Sequence, residues 1–238
     1  MFANCPFEII GEPEFVYHGK WLKTRRVRFK KPGTQTEQVW ESAHRSTTAA
    51  TGGADGVDII ATLNKAGKKY FVLVKQYRIP INGFCLEFPA GLLTFDERIV
   101  YHRLLKDNIQ EPEHLGQMSF ANEPPTGLVD GNESIEAAGL RELKEETGYT
   151  ATKVISCTKG KQGLDPGLTD DSIRFLTVEI DGDAPENANP KQKLDDGEIV
   201  EVVLVECNKL FEYVKSICKE IYVEAMVYSF AIGYNMRQ

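Results

Sequence analysis

The stretch that decides the fold is GLVDGNESIEAAGLRELKEETGY, residues 127–149. Residues 134–147 have the composition of a helix, with Ser134 as its N-cap and Gly148 where a C′ glycine ends a helix. Apolar residues recur within it at helical spacing and can anchor one face to a core. The sequence therefore predicts one amphipathic helix over residues 134–147.

The predicted helix carries a dense acidic face. Glu142, Glu145 and Glu146 stand at i, i+3 and i+4, which places them on the same side of the helix. Like charges at this spacing repel one another, and Arg141 relieves part of the repulsion through Glu145 at i+4. The remaining negative charge suits a hard divalent cation, which prefers oxygen ligands. A solvated acidic helix face is the alternative interpretation of the same residues.

The stretch also resembles the Nudix box, G-x₅-E-x₇-R-E-U-x-E-E-x-G-U with U apolar or aromatic. The matching residues are Gly127, Glu133, Arg141, Glu142, Leu143, Glu145, Glu146, Gly148 and Tyr149. The resemblance implies an α/β/α sandwich around a mixed β-sheet. It also implies hydrolysis of a nucleoside diphosphate linked to another moiety, with Mg²⁺ or Mn²⁺ as the cofactor.

The rest of the chain indicates an α+β protein. Alternating and β-branched runs predict strands within residues 14–45 and at residues 56–63, 70–76, 84–88, 174–180 and 199–205. Two further helices are predicted at residues 209–219 and 224–234. We therefore expect an N-terminal, antiparallel, β-rich dimerisation segment, residues 1–54, followed by a Nudix hydrolase domain, residues 55–238.

Composition limits the location and the partners. The 238 residues carry a net charge of −7, which disfavours binding to nucleic-acid polymers. No apolar run is long enough to span a bilayer, and no secretory signal is expected from the first residues. The five cysteines are scattered, form no CxxC pair and favour a reducing compartment. We expect the cytoplasm, with a nuclear share left open.

Further motifs resemble the animal ADP-sugar pyrophosphatase subgroup, in matching order. They are GKW, VWES, VKQYR, CLEFPAG, DPGL and DGE, which begin at residues 19, 39, 74, 85, 165 and 196. The resemblance implies cleavage of ADP-ribose to AMP and ribose 5-phosphate by a homodimer that exchanges its N-terminal β segment. Two alternatives are a hydrolase of oxidised nucleoside diphosphates such as 8-oxo-dGDP and a catalytically impaired nucleotide-binding protein.

The subgroup places two tryptophans and several polar residues around the substrate. Trp21 and Trp40 are the only tryptophans of the chain, and an aromatic stacked on a base contributes about 1–3 kcal/mol. The resemblance implies that they sandwich the adenine, one from each subunit, whereas ordinary core or interface packing is the alternative. The other implied substrate-binding residues are Glu41, Arg45, Arg78, Glu87 and Asp165. Arg45 and Arg78 suit the diphosphate, because arginine binds phosphate oxygens bidentately, although both could be plain surface charges.

The resemblance also assigns the catalytic machinery. Glu142 and Glu146 are expected to hold the metal, Glu145 to bind it through water, and the carbonyl of Ala90 to complete its shell. Arg141 belongs to the same catalytic helix. Glu198 lies in a loop at the position where the subgroup has a carboxylate, and we expect it to orient or deprotonate the attacking water.

One feature departs from the family. In the resembled enzymes the glycine of Pro-Ala-Gly is also the first glycine of the box, whereas here Gly91 and Gly127 stand 36 residues apart. Residues 92–127 are either a genuine surface insert or a gene-model artefact, and the repeated Gly-Leu flanks favour the artefact. The insert could form a helix over residues 97–109, and it separates the Ala90 carbonyl from the acidic helix. Thr126 is the substitute for that carbonyl if the separation holds.

The basic residues and the histidines of the chain say less about function than the motifs above. A basic run lies at residues 23–31 and is more typical of a solvated face or a dimer rim than of a polynucleotide site. The four histidines show neither metal-ligand nor catalytic-triad spacing, so no second catalytic centre is expected from them.

Overall fold

The computed structural model describes residues 5–46, 53–92 and 133–237. The strands of these residues form two sheets. The first is a three-stranded antiparallel sheet in the order β1-β2-β3, made of β1 (Glu8–His18), β2 (Leu22–Lys30) and β3 (Gln38–Arg45). This sheet confirms the expected N-terminal antiparallel β segment.

The second sheet has nine strands and is mixed. Its main path runs β12-β6-β5-β4-β10-β8, with β11 paired to β5, β7 to β4 and β9 to β10. The β4–β10 and β6–β12 pairs are parallel, and the other pairs are antiparallel. The strands are β4 (Gly56–Lys65), β5 (Lys68–Arg78), β6 (Gly83–Glu87), β7 (Ala90–Leu92), β8 (Lys153–Cys157), β9 (Gln162–Gly163), β10 (Ser172–Asp181), β11 (Val200–Glu206) and β12 (Tyr222–Val223).

Three helices cover the two faces of this sheet. They are α1 (Ile135–Thr147), α2 (Leu210–Ile217) and α3 (Ala225–Asn235). Side chains alternate between the faces of a strand, so β5 sends Val72 to one core cluster and Leu73 to the other. The first cluster includes Leu143 of α1, and the second includes Leu210 of α2 and Val227 of α3. The predicted α/β/α sandwich is confirmed.

The ends of helix α1 follow the capping chemistry that its sequence predicts. The Ser134 hydroxyl accepts a hydrogen bond from the backbone N–H of Ala137 at 3.1 Å, and Gly148 has a φ of 75°. A left-handed residue at this position favours glycine, because a Cβ would be strained there. The cap and the glycine thus fix both ends of the helix that carries the acidic face.

Several elements differ from the predicted ones. β1 begins at Glu8, not at residue 14, and the short strands β7, β8, β9 and β12 were not predicted. Most of these strands have only two to five residues, too few for a period-2 pattern to stand out. The predicted helix at residues 97–109 lies outside the described residues.

Candidate active site

Helix α1 arranges its acidic residues around one arginine. Nε and Nη2 of Arg141 donate to the carboxylate of Glu133 at 3.0 and 3.1 Å. Nη1 of Arg141 donates to Glu142 at 2.9 Å and to Glu145 at 3.0 Å. Its hydrogen bonds to Glu133 raise the pKa of Arg141 above its ordinary value, and the charge of Glu142 and the hydrogen bonds to Glu145 and Glu142 add to this, while burial opposes it. Arg141 is therefore placed as a positioning residue that holds the acidic side chains against their mutual repulsion.

The Pro-Ala-Gly strand β7 lies directly against this helix. The backbone N–H of Ala90 donates to Oε2 of Glu146 at 3.0 Å, across 56 positions of the chain. At Gly91, a Cβ would stand 1.9 Å from Cγ of Glu142, so only glycine leaves room for that side chain. The expectation that the insert separates Ala90 from the acidic helix is wrong, because pairing with β4 holds β7 beside α1. Thr126, the proposed substitute, lies outside the described residues.

Burial disfavours the charged forms of the Glu142 and Glu146 carboxylates. It raises the pKa of Glu146 to about 8, and the charges of Glu142 and Glu198 add to the effect while the Ala90 N–H opposes it. Burial also raises the pKa of Glu142, against the lowering effect of Arg141. Glu198, the predicted water-orienting carboxylate, acts on both groups from the loop before β11, so its charge lies near the pair.

The donor chemistry of this cluster fits a divalent cation. Glu146 is 6% exposed, and no basic side chain among residues 5–46, 53–92 and 133–237 forms an ion pair with it. A buried carboxylate without a cationic partner is costly, and a bound metal ion removes that cost. Within the described parts of the chain, no three Cys, His, Asp or Glu side chains already form a metal cage. The reason is that Glu142 and Glu145 turn to Arg141, while Glu146 turns to the Ala90 N–H.

A second group of ionisable residues lies next to β7 and was partly missed by sequence reasoning. Asp58 of β4 pairs with Ala90, and its Oδ2 is buried without a hydrogen-bond partner. Burial, then the charge of Glu87, raises the pKa of Asp58 to about 7. Burial also raises the pKa of Glu224, just before α3, to about 8. A lone aspartate inside the apolar run of residues 56–63 was the available signal for Asp58.

Comparison with known proteins decides the family. Residues 104–222, half of the chain, match the family model of the NUDIX domain. The chain belongs to the Nudix hydrolase family. The match includes the whole of α1, and it leaves out strands β4–β7, which the structure places in the same sheet. Nudix hydrolases use divalent metal ions, in agreement with the donor chemistry of the acidic cluster.

Several curated proteins are similar to this Nudix chain along most of its length. The putative nudix hydrolase 2 of Caenorhabditis elegans is 43% identical over 234 residues, 97% of this chain and 86% of the relative. The ADP-ribose pyrophosphatase of Saccharomyces cerevisiae is 34% identical over 220 residues, covering 91% and 78% of the two chains. The ADP-sugar pyrophosphatase of Mus musculus is 31% identical over 228 residues, covering 94% and 86%. The interpretation of the chain as a Nudix hydrolase with pyrophosphatase relatives is confirmed.

A solved structure shares the fold. It is described as a crystal structure of ADP compounds hydrolase and superposes with a TM-score of 0.55 at 15% sequence identity. The match covers 90% of this Nudix chain and 86% of the other chain. At this identity it supports the fold alone.

Both arginines predicted to bind the diphosphate form ion pairs with carboxylates. Nε of Arg78 donates to Glu87 at 2.9 Å, and Nη2 of Arg45 lies 2.7 Å from Asp171. The structure therefore brings Arg78 and Glu87, two predicted substrate-binding residues, into direct contact. Each guanidinium has five N–H donors in a fixed plane, so a carboxylate partner orients it without using all of them.

The two tryptophans lie apart within one chain of this Nudix hydrolase. Trp40 pairs across the sheet with Val27, and its ring lies 6.2 Å from Phe29, with its Nε1 donating to the Gly167 carbonyl at 3.2 Å. Trp21 precedes β2 at the other end of that strand, is 65% exposed and has Lys20 over its ring. One chain alone does not place the two rings face to face.

The last two predicted substrate-binding residues are exposed. Glu41 accepts a hydrogen bond from Nη2 of Arg26 at 2.8 Å on the three-stranded sheet. Asp165 begins a turn in which its backbone carbonyl accepts from Leu168 and Thr169 at 2.9 and 2.8 Å. That turn opens the loop of residues 165–171, which β3 holds through Trp40 and through the Ala43 N–H, bonded to Leu168 O at 2.8 Å. The substrate-binding roles of Glu41 and Asp165 stay predictions.

Proposed function

We propose that this chain hydrolyses the pyrophosphate bond of ADP-ribose and related ADP-sugars to AMP and ribose 5-phosphate. The proposal includes Mg²⁺ as the ion, with Mn²⁺ as a substitute, a homodimer as the active form and the cytosol as its place. The observation that carries it is the contact between the Ala90 N–H and Glu146 at 3.0 Å. This contact assembles the acidic helix and the Pro-Ala-Gly strand, although residues 93–132 lie between them. The yeast and mouse relatives named as ADP-ribose and ADP-sugar pyrophosphatases support the substrate class.

Glu142 and Glu146 are the residues that would hold the metal ion. The charged forms of both carboxylates are unfavourable, because burial removes water from them and so raises their pKa values. A bound divalent ion supplies neutralisation of the pyrophosphate charge and a lower pKa for its bound water. Arg141 and Glu133 keep Glu142 and Glu145 in place around it, so their contribution is positioning.

The other predicted site residues bind the substrate or position the attacking water. Glu198 lies in the loop before β11, near the two metal-binding glutamates, where its carboxylate accepts a hydrogen bond from the backbone N–H of Asp195 at 3.1 Å. It orients the attacking water or takes its proton. Arg78, aligned by Glu87, presents its remaining N–H groups to the diphosphate, and Arg45 of β3, held by Asp171, is assigned to the same diphosphate because arginine suits phosphate oxygens. Glu41 and Asp165 lie on exposed edges where they can meet the adenosine and the terminal ribose.

Two observations support the homodimer. A base held between two rings needs them about 7 Å apart, since each contact layer measures about 3.5 Å. Trp40 turns toward Phe29, away from the Trp21 end of β2, which supports a second ring supplied by another chain. The three-stranded sheet also exposes several large apolar side chains by half or more, and exposed apolar surface of this kind supports an interface. They are Phe15, Val16, Tyr17, Trp21, Val39 and Trp40, at 50–65% exposure.

Purified full-length protein with ADP-ribose and Mg²⁺, scored for AMP by chromatography, tests the proposal. We expect turnover with Mg²⁺, none in excess chelator, and recovery when Mg²⁺ or Mn²⁺ is restored. The same assay with 8-oxo-dGDP ranks the oxidised nucleotide against ADP-ribose. Binding of ADP-ribose without AMP formation would identify a catalytically impaired protein and refute the proposal.

Glu146→Gln is the matched variant, because it removes the charge and keeps the size and helix propensity. We expect kcat to fall by about 10²–10⁴-fold with little change in melting temperature. Glu136→Gln, on the first turn of the same helix and outside the acidic cluster, is the control. Full activity of Glu146→Gln would refute the assignment of this carboxylate to the metal.

A further inference from the structure

A pocket separates the three-stranded sheet from the loop of residues 165–171, apart from the acidic cluster. Its volume is about 320 Å³. The apolar side chains of its wall are Phe7, Ile9, Val27, Phe29, Trp40, Pro166 and Leu168. The polar part includes Ser42, His44 and Asp170. The pocket is therefore an apolar cleft with one short polar edge.

The polar edge is a chain of three side chains. Oγ of Ser42 lies 2.8 Å from Nε2 of His44, and Nδ1 of His44 lies 2.9 Å from Oδ2 of Asp170. A carboxylate accepts only, so it fixes the proton of the neutral ring on Nδ1 and leaves Nε2 as the acceptor for the serine hydroxyl. This is the arrangement of nucleophile, base and orienting acid that activates a serine. Sequence spacing alone does not show this arrangement, because the fold brings Asp170 to His44 from a distant part of the chain.

The sheet register explains why these groups meet. Ser42 and His44 stand two residues apart on β3, so both point to the face that carries Trp40. Asp170 reaches them because β3 hydrogen-bonds to the loop beside it. The His44 side chain is 12% exposed, whereas the Asp170 side chain is 55% exposed. The base is thus shielded from water, and Asp170 acts by fixing the tautomer and the ring.

A cation stands beside the serine. Arg25 is the cross-strand partner of Ser42 in the β2–β3 ladder, and directly opposed residues share a face of the sheet. Nε of Arg25 is buried and has no hydrogen-bond partner. A positive group with an unused donor next to Ser42 favours the negative charge that develops when a serine attacks a carbonyl.

We propose that Ser42, His44 and Asp170 form a second hydrolytic site, which cleaves small carboxylic esters. Ser42 Oγ bonds to the ester carbonyl carbon while its proton passes to His44 Nε2. The carbon–oxygen bond to the leaving alcohol then breaks, and the alcohol takes that proton. Water then gives a proton to Nε2 and its oxygen to the acyl carbon, the acyl–serine bond breaks, and the proton returns to Ser42 as the carboxylic acid leaves.

The shape of the pocket selects the substrate class. Seven apolar side chains and a volume of about 320 Å³ suit a short acyl or aryl group. The one carboxylate at the edge, Asp170, disfavours an anionic substrate. The substrate is therefore a neutral ester with a small apolar acyl group. None of the acidic residues of α1 belongs to this site, and Trp40 is the one residue it shares with the proposed nucleotide site.

A fluorophosphonate probe tests the nucleophile on the full-length protein, since it forms a stable bond only with an activated serine and releases fluoride. We expect one adduct, located on Ser42 by mass spectrometry, and hydrolysis of p-nitrophenyl butyrate. Ser42→Ala should abolish the adduct and lower ester hydrolysis by about 10²-fold or more. Ser156→Ala, a serine of exposed strand β8, is the control and should keep both.

Asp170→Asn tests the positioning role of the acid. We expect a lower kcat and slower labelling with little change in KM, and partial rescue in Asp170→Glu, which a merely structural contact would not produce. Melting temperatures of all variants confirm that they fold. An unlabelled wild-type protein, an adduct on another serine, or unchanged ester hydrolysis in folded Ser42→Ala would overturn the proposal. Each of these outcomes would mean that Ser42, His44 and Asp170 only hold the loop of residues 165–171 against β3.

Discussion

Replacing Gly91 with alanine should damage the acidic cluster although none of the acidic side chains is itself replaced. Gly91 lies in β7 and has no left-handed φ, so an alanine backbone is tolerated there. The new Cβ would stand 1.9 Å from Cγ and 2.3 Å from Cδ of Glu142. Both atoms are close to the helix backbone, so a swing of the side-chain tip alone does not clear the clash.

The size of the effect follows from these distances. Carbon atoms in contact stay about 3.5–4.0 Å apart, so the Glu142 carboxylate or strand β7 has to move by about 1.5–2 Å. Misplacing a reacting group by about 1 Å costs on the order of 10²-fold in rate. Overpacking of this kind costs about 1–3 kcal/mol of stability. We therefore expect Gly91→Ala to lose at least about 10²-fold in kcat for ADP-ribose and to need more Mg²⁺ for half-maximal activity.

A double-mutant cycle separates this clash from a general loss of stability. Glu142→Ala removes Cγ, so in that background Gly91→Ala should change the melting temperature little, giving a coupling of about 1–3 kcal/mol. Gly233→Ala, in open space on α3, is the control for replacing a glycine. Activity of Gly91→Ala close to that of the wild type, or additive effects of the two substitutions, would refute the placement of Glu142 against β7.

Three more predictions concern the base, the insert and the pH. Trp40→Ala should weaken ADP-ribose binding by about 1–3 kcal/mol, mainly in KM, and an unchanged KM in an intact dimer would make Trp40 a packing residue. Deleting residues 92–127 should give a protein at least as stable and about as active, because β7 already lies against α1 with the insert present, and transcripts lacking these codons are expected. Lower activity with invariant transcripts would show a genuine insert. Burial raises the pKa of Glu224 from 4.5 to about 8, so the folded state retains a proton that the unfolded chain releases. Stability from this group is full below 4.5 and falls as the pH rises toward 8, so the melting temperature should fall less in Glu224→Gln over that range; parallel pH curves would contradict this.

Helix α1 was predictable almost to the residue, whereas strand β7 was not. Capping by Ser134 and the left-handed Gly148 are local chemistry that a sequence displays. β7 has three residues, and only its pairing with β4 makes it a strand. The predicted sandwich followed from the resemblance, whereas the strand and helix patterns alone indicated only an α+β protein.

The site was predictable as a set of residues and not as a set of contacts. The sequence indicates the acidic helix, but nothing in it shows that Glu146 receives the Ala90 N–H or that Asp58 is buried beside it. The chain from Ser42 through His44 to Asp170 was missed for the same reason, since 126 positions separate its base from its acid. Tertiary pairing, which no local pattern encodes, brings such groups together.

The parallel pairing of β4 with β10 affects how the protein folds while it is being translated. β4 and β5 can fold into a hairpin as soon as they leave the exit tunnel, yet β10 and β11, which flank them, lie more than a hundred residues further along. At about 5–20 residues per second, translation leaves the hairpin, with β6 and β7 beside it, without β10 and β11 for on the order of 5–20 s. Its apolar edges are open to chaperones, and to other nascent chains on the same message, throughout that interval.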